Sequence, residues 1–255
     1  MNPRIRDWRG KRVWIIGASS GIGAATAQLL LNKGARVALS ARRRGALETL
    51  CRGRADALPL ALDMLDHTAV MQACTALRER WSGIDLVLIA AGGYAEMRAD
   101  SFDLAAAKKL VDVNLHGVLH CLDAVLPLLL AQRAGAIGIV SSVAGYNGLP
   151  RALIYGPTKA ALINLCETLY LDLRPKGIGV HMINPGFVDT PMTADNPFPM
   201  PALITPAEAA HHIVHDLERG AFHIHFPHRF TNWLRLARLL PYGLYFPLVR
   251  KVTGL

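Results

Sequence analysis

Val13-Trp14-Ile15-Ile16-Gly17-Ala18-Ser19-Ser20-Gly21-Ile22-Gly23 is the stretch from which the fold can be read. The run Val13 to Ile16 is short, wholly apolar and closed by glycine, the pattern of a buried strand. Ala24 to Lys33 has the composition of a helix, Gly34 stands where a C-cap belongs, and Ala35 to Ser40 reads as the next strand. Strand, glycine turn, helix and strand make a βαβ unit. Glycines in such a turn let backbone N–H groups approach a phosphate at the helix N-terminus, where the dipole favours negative charge. The spacing Gly-x-x-x-Gly-x-Gly differs from the commoner Gly-x-Gly-x-x-Gly. A dinucleotide site usually carries an acid about 20 residues further on, to hold the ribose 2′-hydroxyl. Here that place reads Ser40-Ala41-Arg42-Arg43-Arg44. Arginines cannot accept a hydrogen bond but suit a 2′-phosphate. A solvated basic turn would look the same; the location favours phosphate.

Working outward, strands and helices alternate. Ala57 to Leu62 reads as a strand ending at Asp63-Met64, Asp66 to Trp81 as a helix, and Leu86 to Ala90 as a strand leading into Ala91-Gly92-Gly93. Phe102 to Arg133 reads as mostly helical, with Asn114 inside and Pro127 as a kink. Ala136 to Val140 is a strand ending at Ser141-Ser142, Tyr155 to Leu173 a helix, and Ile178 to Ile183 a strand before Asn184-Pro185-Gly186. This alternation predicts an α/β fold, a doubly wound parallel sheet with helices on both faces. No linker or internal repeat divides residues 1–255, so one domain is expected. Residues 221–255 supply its last strand, Phe222 to Phe226, and a helical tail.

The chain of 255 residues is 52% apolar and 18% charged, the make-up of a globular protein rather than a disordered one. Its formal charge of +9 admits nucleic acid, a membrane surface or anionic ligands as partners. Cys51, Cys74, Cys121 and Cys166 are widely spaced and read as reduced thiols of a cytoplasmic protein. The start is polar and basic and lacks the apolar core of a signal peptide. No uninterrupted apolar run approaches about 18 residues, so no spanning helix is expected.

The chemistry centres on Tyr155-Gly156-Pro157-Thr158-Lys159. A tyrosine and a lysine four apart share one helix face. A free phenol titrates near pH ~10, too high to exchange protons readily at neutrality. An ammonium held close by lowers that value, and the phenol can then serve a hydroxyl or carbonyl oxygen as acid or base. Alone, this pair is common by chance; the rest of the chain gives it weight.

From about Lys11 to Thr190 the chain resembles the short-chain dehydrogenase/reductase family, with a looser match beyond. The matching motifs are Gly17-Ala18-Ser19-Ser20-Gly21-Ile22-Gly23, Asp63, Val113-Asn114-Leu115, Ser142 thirteen residues before Tyr155, Lys159, and Pro185-Gly186. The resemblance implies a Rossmann-type sheet. It also implies a catalytic set of Asn114, Ser142, Tyr155 and Lys159. Tyr155 would be the general acid/base, and Lys159 would lower its pKa and bind the nicotinamide ribose. Ser142 would hold the substrate oxygen, and Asn114 would position a water linking Lys159 to solvent. The cofactor is expected along Gly17, Ser19, Ser20, Gly21, Ile22, Asp63, Met64, Ala91 and Gly92. Val188 and Thr190, with Pro185 and Gly186, would touch its nicotinamide end. Arg42 and Arg43 select NADP(H) over NAD(H), which stays the second choice. Two departures stand out: Ile89-Ala90-Ala91-Gly92 replaces an Asn-Asn-Ala-Gly motif, and Ile16 replaces a threonine.

The expected reaction is therefore hydride transfer between a nicotinamide cofactor and a small carbonyl/alcohol substrate. A non-catalytic redox sensor binding NADP(H) is the alternative, but such a protein would tend to lose the tyrosine. No nucleic-acid motif accompanies the charge. Asp189 to Thr205, with Pro191, Pro197, Pro199 and Pro201, reads as a substrate-covering loop. His211, His212 and His215 lack a completing carboxylate set, so no metal is expected. Family members pair through their two long helices, so a homodimer or homotetramer is expected. In the tail, Phe230, Trp233, Leu234 and Ala237 should share one helical face and Thr231, Arg235 and Arg238 another. The tail either packs on the protein or makes it peripheral to a membrane.

Overall fold

The computed structural model describes residues 1–194, 196 and 200–254. Pro197 and Pro199 of the expected lid, and Leu255, lie outside the described residues. Seven strands form one parallel sheet: β1 (Arg12–Ile16), β2 (Arg36–Ala41), β3 (Ala57–Ala61), β4 (Leu86–Ile89), β5 (Ala136–Val140), β6 (Gly179–Pro185) and β7 (His223–Phe226). Their order is β3-β2-β1-β4-β5-β6-β7, which places the winding reversal between β1 and β4. A strand buried on both faces must be apolar on both. In β1, Val13 and Ile15 enter one core and Trp14 and Ile16 the other. The sheet's edge at β3 carries Pro59, tolerated there because an edge strand can spare an N–H.

Helices α1 (Gly21–Asn32), α2 (Arg44–Cys51) and α7 (Pro206–Arg219) bury Leu30, Leu47 and Ile213 against one face. Helices α3 (His67–Trp81), α5 (Gly117–Gln132) and α6 (Tyr155–Leu173) bury Leu77, Leu122 and Ile163 against the other. Local chemistry fixes their ends. Asp66 caps α3 by accepting from the Ala69 N–H at 3.0 Å. Thr205 and Glu208 form a capping box on α7. The αL residues Ser82 and Gly220 close α3 and α7.

Two sequence expectations need correcting. The run expected to be mostly helical from Phe102 to Arg133 is divided: α4 (Leu104–Val111) joins α5, which contains Pro127, through a π-helical turn, Asp112–His116, centred on Asn114. The run Leu104–Gln132 is also long and apolar enough to cross a membrane, although Lys108, Lys109 and Asp112 interrupt it; here it packs on the sheet through Val118, Leu122 and Val125. The second correction concerns the tail, which forms α8 (His228–Ala237) and α9 (Tyr242–Thr253). Phe230 and Leu234 of α8 pack inward as expected, but Trp233 is 72% exposed and Thr231 is buried. Thr231 turns in because its hydroxyl donates to the Pro227 carbonyl at 3.1 Å and meets His225 Nδ1 at 2.7 Å.

Candidate active site

The carboxyl ends of β1, β2, β4, β5 and β6 border a cavity of about 420 Å³. Such crevices at the winding reversal are where ligands bind in open α/β sheets. Gly17 follows β1 with φ +95°, and a Cβ there would collide with the Ala91 backbone, so only glycine fits. Helix α1 begins at the cavity wall. Ser20 precedes it without making a side-chain cap, and its first turn holds no acid. Ser19, Ser20, Gly21 and Ile22 line the cavity at the start of α1, and no side chain caps the first-turn N–H groups, a ready anion site. Arg42 and Arg43 line the same cavity beyond Ala41. Arg43 Nη2 donates to Ser19 Oγ at 3.1 Å and to the Ser19 carbonyl at 3.3 Å, which draws its guanidinium over the glycine turn. Arg44 starts α2 instead and is exposed, 3.9 Å from Glu48. Asp63 and Met64 line the wall beside them, and Asp63 Oδ1 accepts from the Leu65 N–H at 3.0 Å. Ala91, Gly92, Pro185, Gly186, Val188 and Thr190 also line the cavity.

The reactive groups enter from β5 and α6. Ser141 and Ser142 follow β5 but do different things. Ser141 Oγ donates to the Lys159 carbonyl at 2.8 Å, whereas the Ser142 hydroxyl accepts from the Ala144 N–H at 3.1 Å and lines the cavity with Tyr155. A short 3-10 turn, Val143–Gly145, then runs against α6. A Cβ on Gly145 would lie 2.7 Å from the Lys159 carbonyl carbon, so the close approach requires glycine. Tyr155 opens α6 and Lys159 follows one turn later. Lys159 Nζ donates to the Val140 carbonyl at 3.0 Å and sits 5.7 Å from the Tyr155 ring centre. Asn114 is the predicted residue that does not line the cavity. It is fully buried behind it: Oδ1 accepts from the Gly93 N–H at 2.7 Å, and Nδ2 donates to the Gly93 carbonyl at 3.0 Å and to Thr158 Oγ1 at 3.1 Å.

A family model described as short chain dehydrogenase matches residues 11–198. The chain belongs to the short-chain dehydrogenase/reductase family. It is 34% identical over 243 residues to an uncharacterized oxidoreductase of Myxococcus xanthus, covering 93% of this chain and 96% of that one. A short chain dehydrogenase from Burkholderia cenocepacia, crystallised in complex with NADP, superposes with a TM-score of 0.84 at 24% identity, covering 95% of this chain and 98% of its own. A structure described as ribose-5-phosphate isomerase from Brucella melitensis superposes at 0.80 with 26% identity, over 87% of this chain and 92% of that one. A shared sheet thus accompanies more than one described activity, and function must be argued from the site.

Within this dehydrogenase scaffold the electrostatics favour a protonated Tyr155 and a charged Lys159. Burial raises the Tyr155 phenol, opposed by its Ser142 hydrogen bond. Burial also lowers the Lys159 ammonium to about 8. The expectation that Lys159 would pull the tyrosine down is not met here, because desolvation dominates both groups. Sequence reading missed several neighbours. Tyr94 stands edge-on to Tyr155 with ring centres 5.1 Å apart. Val113, Val140, Met192 and Thr193 line the cavity. Thr193 Oγ1 donates to the Val188 carbonyl at 2.7 Å and accepts from the Thr190 N–H at 3.1 Å, which folds the start of the expected lid into a turn over the site. Val113 was legible as the neighbour of Asn114, but nothing around Tyr94 in the sequence signalled it. His211 and His215 are exposed, while His212 stacks on Phe226 with ring centres 5.4 Å apart.

Proposed function

We propose that this family member moves a hydride between NADP(H) and a carbonyl/alcohol pair, with Tyr155 as general acid/base. The observation that carries the reading is the convergence of Ser142, Tyr155 and Lys159 on one cavity whose other wall is an uncapped helix N-terminus flanked by Arg42 and Arg43. The residues present fit a phosphorylated dinucleotide. Gly17 and the first turn of α1 suit its pyrophosphate, Arg42 and Arg43 its 2′-phosphate, and Asp63 its adenine end. The NADP held by the Burkholderia cenocepacia structure supports the same class of cofactor.

The bound nicotinamide would supply the hydride; the remaining work falls to the chain. Ser142 holds the substrate oxygen and stabilises charge developing on it. Tyr155, kept protonated at neutral pH by its surroundings, gives that oxygen a proton during reduction. In alcohol oxidation the same phenol must act as base, so that direction gains rate as pH rises. Lys159 contributes a positive charge beside the phenol. Asn114 fixes Gly93 and the α6 turn around Thr158, and is the group we propose to hold the water that connects Lys159 to solvent. Pairing of copies through α5 and α6, where Leu119, Leu130 and Leu171 are exposed, would make a homodimer or homotetramer. The four free, buried thiols suit the cytoplasm.

Purified protein should reduce members of a panel of aldehydes, ketones, quinones and steroids with NADPH. Tyr155→Phe should bind NADPH normally and lose turnover by at least about a hundredfold. Titration should show NADPH bound roughly ten- to a hundredfold more tightly than NADH, the worth of a charge-assisted arginine–phosphate contact. A near-normal kcat for the variant would overturn the role of Tyr155. Equal affinities would overturn the role of Arg42 and Arg43. Tight nucleotide binding with no turnover across the panel would make the protein a sensor.

A further inference from the structure

Among the described residues nineteen large apolar side chains lie exposed, and eight of them fall between Trp233 and Val252. Their arrangement is regular. On α8, Arg229, Trp233 and Leu236 stand at i, i+4 and i+7 and share an outward face, while Phe230 and Leu234 pack on the core. On α9, Leu244, Leu248 and Lys251 repeat that spacing, again outward, and Tyr245 is the buried residue. Residues 221–255 contain no aspartate or glutamate, and their cations are Arg229, Arg235, Arg238, Arg250 and Lys251. Arg235 is engaged by His225 Nε2 at 2.9 Å.

We propose that the outer surface of α8 and α9 docks on an anionic lipid bilayer. Aromatic and aliphatic side chains interleaved with cations are what a helix needs to lie at a bilayer surface, apolar atoms below the headgroups and charges among them. The wholly cationic balance is complementary to anionic headgroups. It is also a poor self-match. A two-fold pairing of this face would set its cations against their own copies, with no acid in residues 221–255 to neutralise them. Both helices are anchored beside the cavity. The Phe230 ring stands 5.6 Å from that of Phe187, next to the cavity residue Gly186. Tyr245 Oη donates to the Gly148 carbonyl at 2.8 Å, in the segment between Ser142 and Tyr155. A docked molecule would hold its catalytic cavity close to the lipid. The proposal does not depend on the catalytic reading, since binding alone tests it.

The full chain is mixed with vesicles of phosphatidylglycerol and phosphatidylcholine, or of phosphatidylcholine alone, and sedimented at low salt. Pelleting with the anionic vesicles, release at high salt, and a blue shift of Trp233 emission that is absent from Trp233→Tyr are expected. Leu244→Ser with Leu248→Ser, both exposed and so harmless to folding, should weaken binding at least about tenfold. Arg250→Gln and Lys251→Gln should each weaken it about fivefold. A chain that stays in the supernatant with anionic vesicles, or that binds equally after the leucine substitutions, would overturn the proposal. So would a self-associated species that the same leucine substitutions disperse without any vesicle binding, which would show that the face meets a second copy.

Discussion

At the scale of single residues, the two departures from the family's motifs explain each other. Ile16 ends β1 and Ile89 ends β4, and the two are register partners in the sheet. Both are buried in the same core. Where the resemblance implies a threonine and an asparagine, this chain has two isoleucines in one core, and the backbone joins the strand ends, Ala90 N–H donating to the Ile16 carbonyl at 2.8 Å. Asn114 clasps the Gly93 backbone close by. Restoring one polar partner without the other should therefore harm the protein. Ile89→Asn buries an amide beside an isoleucine and should cost about 1–3 kcal/mol. Urea denaturation measures it, and adding Ile16→Thr should return part of the loss. An Ile89→Asn protein as stable as its parent would mean that the strand ends have room for polar groups. Sequence alone showed that two motifs were altered; that the alterations face each other needed the register. The family resemblance chose Ser142 over Ser141 by its distance from Tyr155; in the fold Ser141 Oγ is taken up by the Lys159 carbonyl. Tyr94 was not legible, because it comes beside Tyr155 only when Met97 bridges to Ala152 in the fold.

At the scale of elements, regular periodicity was read well and local exceptions were not. Helix α6 has the bounds expected of it, Tyr155–Leu173. The π turn at Asp112–His116 has no compositional mark: its cause is the set of bonds Asn114 makes to Gly93 and Thr158, which are distant in sequence. Helix α2 was overlooked because it starts at Arg44, the last residue of the arginine run read as a phosphate-binding turn. The paired edge of β6 and β7 holds a property no motif announces. His181, His223 and His225 are all held far below the usual imidazole range, at about 4, 3 and 4. Burial is the main cause for each; nearby cations, Arg235 among them, add to it for His223 and His225. All three are neutral in the folded protein at pH 6, whereas an unfolded chain protonates them below about 6.5. The unfolded state then binds more protons, so stability should fall as pH drops from about 6.5 towards 4. Calorimetry near pH 5 should show proton uptake on unfolding and a Tm below that at pH 7.5. A Tm flat over this range would mean that these imidazoles are protonated without unfolding.

At the scale of the whole molecule, the parallel, doubly wound class follows from the alternation of short apolar runs with amphipathic ones, and the family match bears it out. The order of the strands was not written in any one of them, since the buried stretches of β1, β4 and β5 are apolar on both faces and would fit any central place. That order has a consequence for how the protein can change. The groups proposed to select the nucleotide follow β2, and those proposed to act on the substrate follow β5, with β1 and β4 between them. Three interstrand steps separate the two sets by about 14 Å, beyond the range at which substitutions usually influence one another. Exchanging Arg43 for a residue that favours the other nucleotide should thus multiply, without interaction, the effect of any change at Ser142 on the carbonyl compound taken. Lineages carrying this sheet can trade one preference while inheriting the other intact.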